Sequence, residues 1–209
     1  MEQKFKINDF RNLYRILYLL EQEKERILGA DYTFSSLYFF IKGFTASAYP
    51  DQLEIQNSPN FEYFDNWLKG HLSGDVDTSL NWAALIQKRN ADNDEKAFEE
   101  FFHSLQIFKT SKFTIKTLIV DPASISYSIN RWVEKYGPLD PDGLIFEELH
   151  KIRRTQLSNS TSIWIDFLDE CNRVIDGEWY LNEQKANEAL SEEFGHLANG
   201  WFDENISNN

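Results

Sequence analysis

Apolar residues recur along much of the chain at the three- and four-residue spacing that places them on one face of an α-helix. The first such run contains Leu13, Leu17 and Leu20, and Gly29 follows it at a position suited to ending a helix. The clearest run comes later and consists of Phe98, Phe101, Phe102, Leu105 and Phe108. We therefore predict a helix in each of these two regions.

Residues that favour helix starts stand before several other apolar runs. Asn60 can cap a helix that carries Phe64 and Trp67, because its side chain can accept a hydrogen bond from an unpaired backbone N–H of the first turn. The pairs Asp121–Pro122 and Asp140–Pro141 each offer proline at the first helical position, where no N–H is needed. These signals predict helices after Asn60 and Asp121, and a third from Asp140 through Gln156.

The C-terminal third of the chain shows the same pattern less clearly. Ile163, Trp164, Phe167 and Leu168 predict a helix over 162–175, and a last helix is predicted over 182–201. The best strand candidate is the segment 112–120 (KFTIKTLIV), which is rich in the β-branched residues that strands favour.

The predicted fold is consequently a mainly α, single-domain multi-helix bundle, with at most a small strand element near 112–120. We expect this domain to span residues 1–202 and to be followed by a solvated tail at 203–209.

The charge of the chain narrows the range of partners. It has 34 Asp and Glu against 21 Lys and Arg, a formal net charge of −13, and residues 161–209 hold 11 acidic but only two basic side chains. Such a surface repels nucleic-acid phosphates and anionic lipids and attracts cationic proteins. There is no apolar run of membrane-spanning length and no signal-peptide pattern, so a cytoplasmic location without membrane contact is expected.

The acidic C-terminal quarter supplies the candidate contact residues for a basic protein partner. These candidate contact residues are Glu183, Glu188, Glu192, Asp169 and Asp176. Tyr63 is a candidate aromatic contact, because it falls on the side away from Phe61 and Phe64 and exposed aromatic residues often anchor interfaces. The alternative is that the acids form an ordinary solvated helix face.

Linear signatures of catalysis or cofactor binding are not found in the sequence. There is no glycine-rich phosphate loop, GxSxG, HExxH or CxxC. Three histidines follow a glutamate by three residues, namely in Glu100/His103, Glu147/His150 and Glu193/His196. The first two pairs fall opposite the apolar stripes of their predicted helices, whereas ligands of an iron site in a helix bundle point into its core. We therefore expect neither metal nor cofactor.

Two other functions stay open. An enzyme or enzyme subunit could use paired carboxylates for acid–base chemistry without a linear motif. An acidic mimic of nucleic acid would need carboxylates spaced regularly along one surface.

A stretch in the first half resembles a known kind of protein. The segments FEYFDNWLKGHL, NWAALIQKRN and DEKAFEEFF together resemble small acidic bacterial proteins of the toxin-immunity kind. This resemblance covers about 50 residues, mostly core positions, and carries over no functional residue. It implies a non-enzymatic inhibitor that binds and blocks a cognate toxin.

Overall fold

The structure is a computed structural model, and it describes residues 12–48, 52–53, 58–72, 76–136, 149–195 and 201–203. The chain divides into two compact units, Met1–Lys112 and Phe113–Asn209. We call them the helical unit and the sheet unit. The prediction of one folding domain over residues 1–202 stays a prediction.

The described part of the helical unit consists mainly of α-helices. They are α1 (Leu13–Gln22), α2 (Lys24–Leu28), α3 (Phe34–Ser47), α4 (Phe64–Leu72), α5 (Trp82–Arg89) and α6 (Asp94–Lys109), with a 3-10 turn, Phe61–Tyr63, leading into α4. Polar side chains at the N-caps accept hydrogen bonds from the first turns, as Asn12 does for α1, Asn81 for α5 and Asn93 for α6. The caps satisfy N–H groups that have no partner inside a helix.

Aromatic rings fill the core of the helical unit. Phe64 packs edge-to-face on Phe101 and Phe108, with ring centroids 5.5 and 5.3 Å apart. Phe34 meets Phe98 in the same way at 5.4 Å, and Trp67 is fully buried. Edge-to-face contact is favourable because the positive edge of one ring meets the negative face of another. The predicted apolar stripes of α1 and α6 are confirmed as buried.

In the residues described for it, the sheet unit is built on a five-stranded antiparallel sheet. Its strands are β1 (Phe113–Ile119), β2 (Lys151–Leu157), β3 (Ile163–Leu168), β4 (Val174–Tyr180) and the short β5 (Phe202–Asp203), in the order β4-β3-β2-β1-β5. Within the described part of this unit, two helices accompany the strands, α7 (Pro122–Tyr136) and α8 (Glu183–Phe194).

One face of this sheet is covered by the helices. Residues in register across strands lie on the same face, so Ile152, Phe167 and Asp176 form one row, and Arg154, Ile165 and Glu178 form the next. The apolar members pack with Ala186, Leu190 and Phe194 of α8, and Ile125 of α7 joins them. We call the face that carries these two rows the helix-covered face. The residues that alternate with them along the strands, such as Trp164 and Trp179, lie on the opposite face.

The mainly α prediction is wrong, because the sheet unit combines helices with an antiparallel sheet. Within the helix predicted from Asp140 through Gln156, residues 151–156 are strand β2, and the helix predicted over 162–175 contains β3. The predicted strand at 112–120 is confirmed as β1, the predicted helix start at Asp121–Pro122 is confirmed for α7, and residues 204–209 of the predicted tail lie outside the described residues.

The apolar spacing of β3 explains the error. Ile163, Trp164, Phe167 and Leu168 fit a helical stripe, but they fit equally well a strand that has apolar residues on both faces. In the structure the side chains of Ile163 and Phe167 belong to the helix-covered face, whereas those of Trp164 and Leu168 lie on the opposite face. Short apolar runs of this kind do not separate helix from strand by periodicity.

Candidate functional site

Helix α8 carries three of the five predicted acidic residues. Asn182 caps it, its side-chain oxygen accepting from the Lys185 N–H at 3.0 Å. Ala186, Leu190 and Phe194 are buried against the sheet. Since these positions recur every three or four residues, Glu183, Glu188 and Glu192 are left exposed.

The first of these acids is held by a cation of the sheet. Arg154 Nη1 donates to Glu183 Oε1 at 2.6 Å, and only 13 % of the Arg154 side chain is exposed. This hydrogen bond and the charge of Arg154, with a further contribution from Lys116, lower the pKa of the Glu183 carboxyl below its ordinary value. Glu183 therefore links α8 to β2, and its charge is already balanced.

The other two acids of α8 are placed toward solvent. Glu188 accepts from Gln184 Nε2 at 2.8 Å and from Lys185 Nζ at 3.3 Å, and the bond from Gln184 is the main reason why its pKa is lowered. Glu192 is exposed one turn later. Together they give the outer face of α8 a negative charge.

Asp169 has a structural position in the turn between β3 and β4. Its side chain is only 5 % exposed and accepts from the Arg173 backbone N–H at 2.9 Å and from Arg173 Nε at 2.6 Å. The bond from the backbone N–H of Arg173 is the largest cause of its lowered pKa. The same turn exposes Cys171. The Asp169 carboxylate thus holds the turn together.

Asp176 lies on the exposed strand β4 and is accompanied by an acid that the sequence did not single out. Asp176 Oδ1 accepts from the Gly177 N–H at 2.7 Å, and Glu178, two residues on, lies on the same face of the sheet. Both are exposed. An alternating Asp-x-Glu pattern indicates such a pair, but only once the segment is known to be a strand.

Carboxylates from β4 and α8 approach one tyrosine hydroxyl. Tyr180 donates to Glu178 Oε2, and burial, this hydrogen bond and the charges of Glu178 and Glu193 raise the pKa of Tyr180. Glu193 in turn accepts from the buried Ser128 Oγ at 2.7 Å. A raised pKa favours the protonated hydroxyl, which is the form that donates this hydrogen bond to Glu178.

The structure thus leaves four acids exposed on two elements that contact each other. We call Asp176 and Glu178 of β4 with Glu188 and Glu192 of α8 the acidic surface. Asp169 is turned into its own loop, and Glu183 is paired with Arg154. The single basic residue within β4 and α8 is Lys185.

Tyr63 belongs to the helical unit and is half-buried at the end of the 3-10 turn before α4. The neighbouring Phe61 is buried and stacks on Phe64 at 5.1 Å. Part of the Tyr63 side chain therefore reaches the surface, but less of it than a fully exposed contact residue would offer.

The residues considered for metal binding have other roles or lie apart. Glu100 accepts from Arg89 Nε at 2.9 Å and from Asn90, which ties the turn after α5 to α6, and His103 is exposed. Glu147 and His196 lie outside the described residues. Over the part of the chain that the structure describes, no group of three or more His, Cys, Asp or Glu could hold a metal ion.

Comparisons with protein-family models, with curated proteins and with solved structures found no match for this chain. Among the described residues, no helix is both long enough and apolar enough to cross a membrane.

Proposed function

We propose that this protein binds a basic protein partner through the acidic surface of the sheet unit and thereby blocks the partner's action. The observation that carries the proposal is the exposure of Asp176, Glu178, Glu188 and Glu192 on two adjoining elements with Lys185 as their single basic residue. Complementary charge raises the rate of encounter and selects against partners of the wrong sign.

The distribution of charge over the chain supports this surface in particular. Residues 113–209 contain 17 acidic and 8 basic side chains, a net charge of −9, whereas residues 1–112 contain 17 and 13, a net charge of −4. The sheet unit therefore produces the stronger negative field, although it is the smaller of the two in residues.

A toxin is the partner class that we favour. The resemblance of the segments around Trp67, Trp82 and Phe101 to toxin-immunity proteins supports this choice. An inhibitor of that kind needs a binding surface and no catalytic group, and it works by occupying the partner's own site.

The experiment begins with capture of a partner on the immobilised full chain at physiological salt. Association and dissociation rates of the purified partner are then measured for the parent chain and for the variant Glu188→Lys/Glu192→Lys. The matched control is Glu95→Lys/Glu99→Lys, which changes the charge equally at two exposed positions one turn apart on α6 of the helical unit.

We expect the α8 variant to associate about tenfold more slowly than the parent at low salt and to lose most of the salt dependence, with the dissociation rate changed less. The control should behave as the parent does. If the partner arrests growth when expressed alone, co-expression of the chain should restore growth. A partner whose association with the parent is independent of salt, and equal for both variants, would overturn the proposal.

A further inference from the structure

Among the residues that the structure describes, β4 forms one edge of the sheet, since it is the first strand in the order β4-β3-β2-β1-β5. Its inner side pairs with β3. The Leu168 carbonyl accepts from the His150 N–H at 2.9 Å, so Leu168 directs its backbone polar groups toward β2. The backbone N–H and C=O groups of successive residues in a strand point to alternate sides. Phe167 and Ile165 therefore direct their backbone polar groups toward β4.

It follows that Gly177 directs its backbone N–H away from the sheet. Phe167 pairs with Asp176 and Ile165 with Glu178, so Gly177 between them faces outward. Two contacts agree with this orientation. The Gly177 N–H donates to Asp176 Oδ1 at 2.7 Å, and the Ile165 carbonyl oxygen lies 3.4 Å from the position that a Cβ on Gly177 would occupy.

We propose that β4 is a docking edge to which an extended segment of the basic partner adds as a further strand. This inference rests on the proposed function and specifies how the partner is held. An exposed strand edge is a template for main-chain hydrogen bonds, which give affinity, while the side chains on the two faces give specificity.

The side chains of β4 define the sequence that such a segment needs. Asp176 and Glu178 lie on one face, so the added strand requires basic residues at the positions beside them. Gly177 and Trp179 lie on the other face, where Asp166 Oδ1 lies 3.4 Å from the position that a Cβ on Gly177 would occupy and the half-buried indole of Trp179 supplies apolar surface. The segment that fits therefore alternates basic and apolar residues.

The same residues disfavour a second copy of this chain as the occupant. If two β4 strands paired antiparallel around Gly177, Asp176 of each would stand opposite Glu178 of the other. Like charges directly opposite one another destabilise a strand pair. In the free protein the Asp176 carboxylate accepts the hydrogen bond of the Gly177 N–H. When a basic segment binds, the Gly177 N–H would donate to a main-chain carbonyl of the segment, and the Asp176 carboxylate would form an ion pair with one of its basic side chains.

The probe is a peptide of alternating Lys and Val with blocked ends, matched to the seven residues of β4. Two further peptides carry N-methyl groups on the backbone of either the Val or the Lys residues. In an antiparallel pair Gly177 bonds to the Val residue opposite, whereas in a parallel pair it bonds to the flanking Lys residues. Methylation of one set should therefore weaken binding to the full chain by about tenfold or more and reveal the strand direction.

Hydrogen exchange and charge variants give independent readouts. Exchange of the Gly177 amide should slow when the unmethylated peptide binds. The variant Asp176→Asn/Glu178→Gln should bind this peptide several-fold more weakly, while Glu95→Gln/Glu99→Gln in the helical unit should bind it as the parent does. The asparagine oxygen can still accept from Gly177, so the fold of the edge is preserved.

Three results would overturn the inference: equal affinity for the unmethylated peptide and both methylated peptides, an unprotected Gly177 amide in the complex, or dimerisation of the chain through β4. None of these would affect the proposed function, because a partner could still meet the acidic surface by charge alone. Conversely, if the captured partner binds the α8 variant as fast as the parent but the peptide protects Gly177, then the edge is a docking site for some other basic segment.

Discussion

The two units of this protein hold themselves together by different means. In the helical unit, packed aromatic rings such as Phe64, Phe101 and Phe108 fill the core. In the sheet unit the core is mainly aliphatic, and polar bonds join its elements, as between Arg154 and Glu183 or between Ser128 and Glu193. Ring packing is indifferent to pH, whereas the polar bonds are not. The stability of the sheet unit should therefore respond to pH through particular residues.

The largest effect is expected in the aromatic core. Trp67 is fully buried and contacts Phe64, Phe108 and the ring of His71. Trp67→Ala should lower the free energy of unfolding by about 3–5 kcal/mol, because truncation of a large buried aromatic leaves a cavity. The control Phe39→Ala removes a side chain that is 68 % exposed and should change stability by less than about 0.5 kcal/mol.

Denaturant unfolding of Trp67→Ala also bears on the predicted single domain. If residues 1–202 fold as one domain, amides of β2 and β3 should lose protection together with those of α4. Protection that is lost in α4 alone would show that the units unfold separately.

A smaller loss is expected at the main polar contact of α4. Asp65 accepts from Lys69 Nζ at 2.7 Å and from the Trp82 N–H at 2.5 Å, which joins α4 to the start of α5. The Lys69 side chain is only 7 % exposed. Asp65→Ala would leave this cation without the carboxylate, at a cost of about 2–3 kcal/mol in unfolding free energy. Asp65→Asn should recover part of the loss because it still accepts from Trp82, and equal stability of all three proteins would contradict this account.

Alkaline pH should lower the stability of the sheet unit through one residue, Tyr180. The pKa of Tyr180 is raised above its ordinary value of 10.0, so the folded state holds the proton more tightly than the unfolded chain does. This contribution is complete below pH 10 and is lost as the pH rises further, with a slope of up to about 1.4 kcal/mol per pH unit.

Tyr180→Phe should remove that part of the pH dependence, as measured by unfolding at pH 9 to 11. Tyr127→Phe is the control, since Tyr127 is exposed on α7 of the same unit. Identical pH profiles for Tyr180→Phe and the parent would rule out the Tyr180–Glu178 bond as a source of stability.

The smallest effect is expected at the Glu183–Arg154 pair. The folded state lowers the pKa of Glu183 below 4.5, so its contribution is present above that pH and is lost as the pH falls through the folded value. The contribution should be below about 1 kcal/mol, because Glu183 is largely exposed and solvent screens the pair. Glu183→Gln should slightly reduce the fall in unfolding free energy that the parent shows at acidic pH. An unchanged fall would mean that the ion pair does not contribute to stability.

The difference between the helical unit and the sheet unit also explains which secondary structure could be predicted from the sequence. In α6 five apolar side chains meet one core, so the 3.6-residue period is clear. In β2 the burial of Ile152, Thr155 and Leu157 follows neither a clean helical nor a clean alternating pattern, because both faces of the strand are partly covered. Pairing between strands distant in the sequence then decides the structure, and a local pattern does not record it.

The candidate site shows a similar division. Net charge and the run of acids in the last quarter are properties of composition, so the sequence alone can single out this region as a candidate. Which acids are available depends on partners from other elements: Arg154 engages Glu183, and the turn encloses Asp169. Glu178 was overlooked because only the strand register places it beside Asp176 on one face.

Cys171 gives practical access to the edge of the sheet. It is the one cysteine of the chain, and it is exposed in the turn that leads into β4. A thiol-reactive fluorophore would therefore attach at a single position near the start of this strand, without any engineered residue. Quenching or polarisation of that dye would report directly when a peptide occupies the edge, and a dye on the same residue of Asp176→Asn/Glu178→Gln would provide the reference.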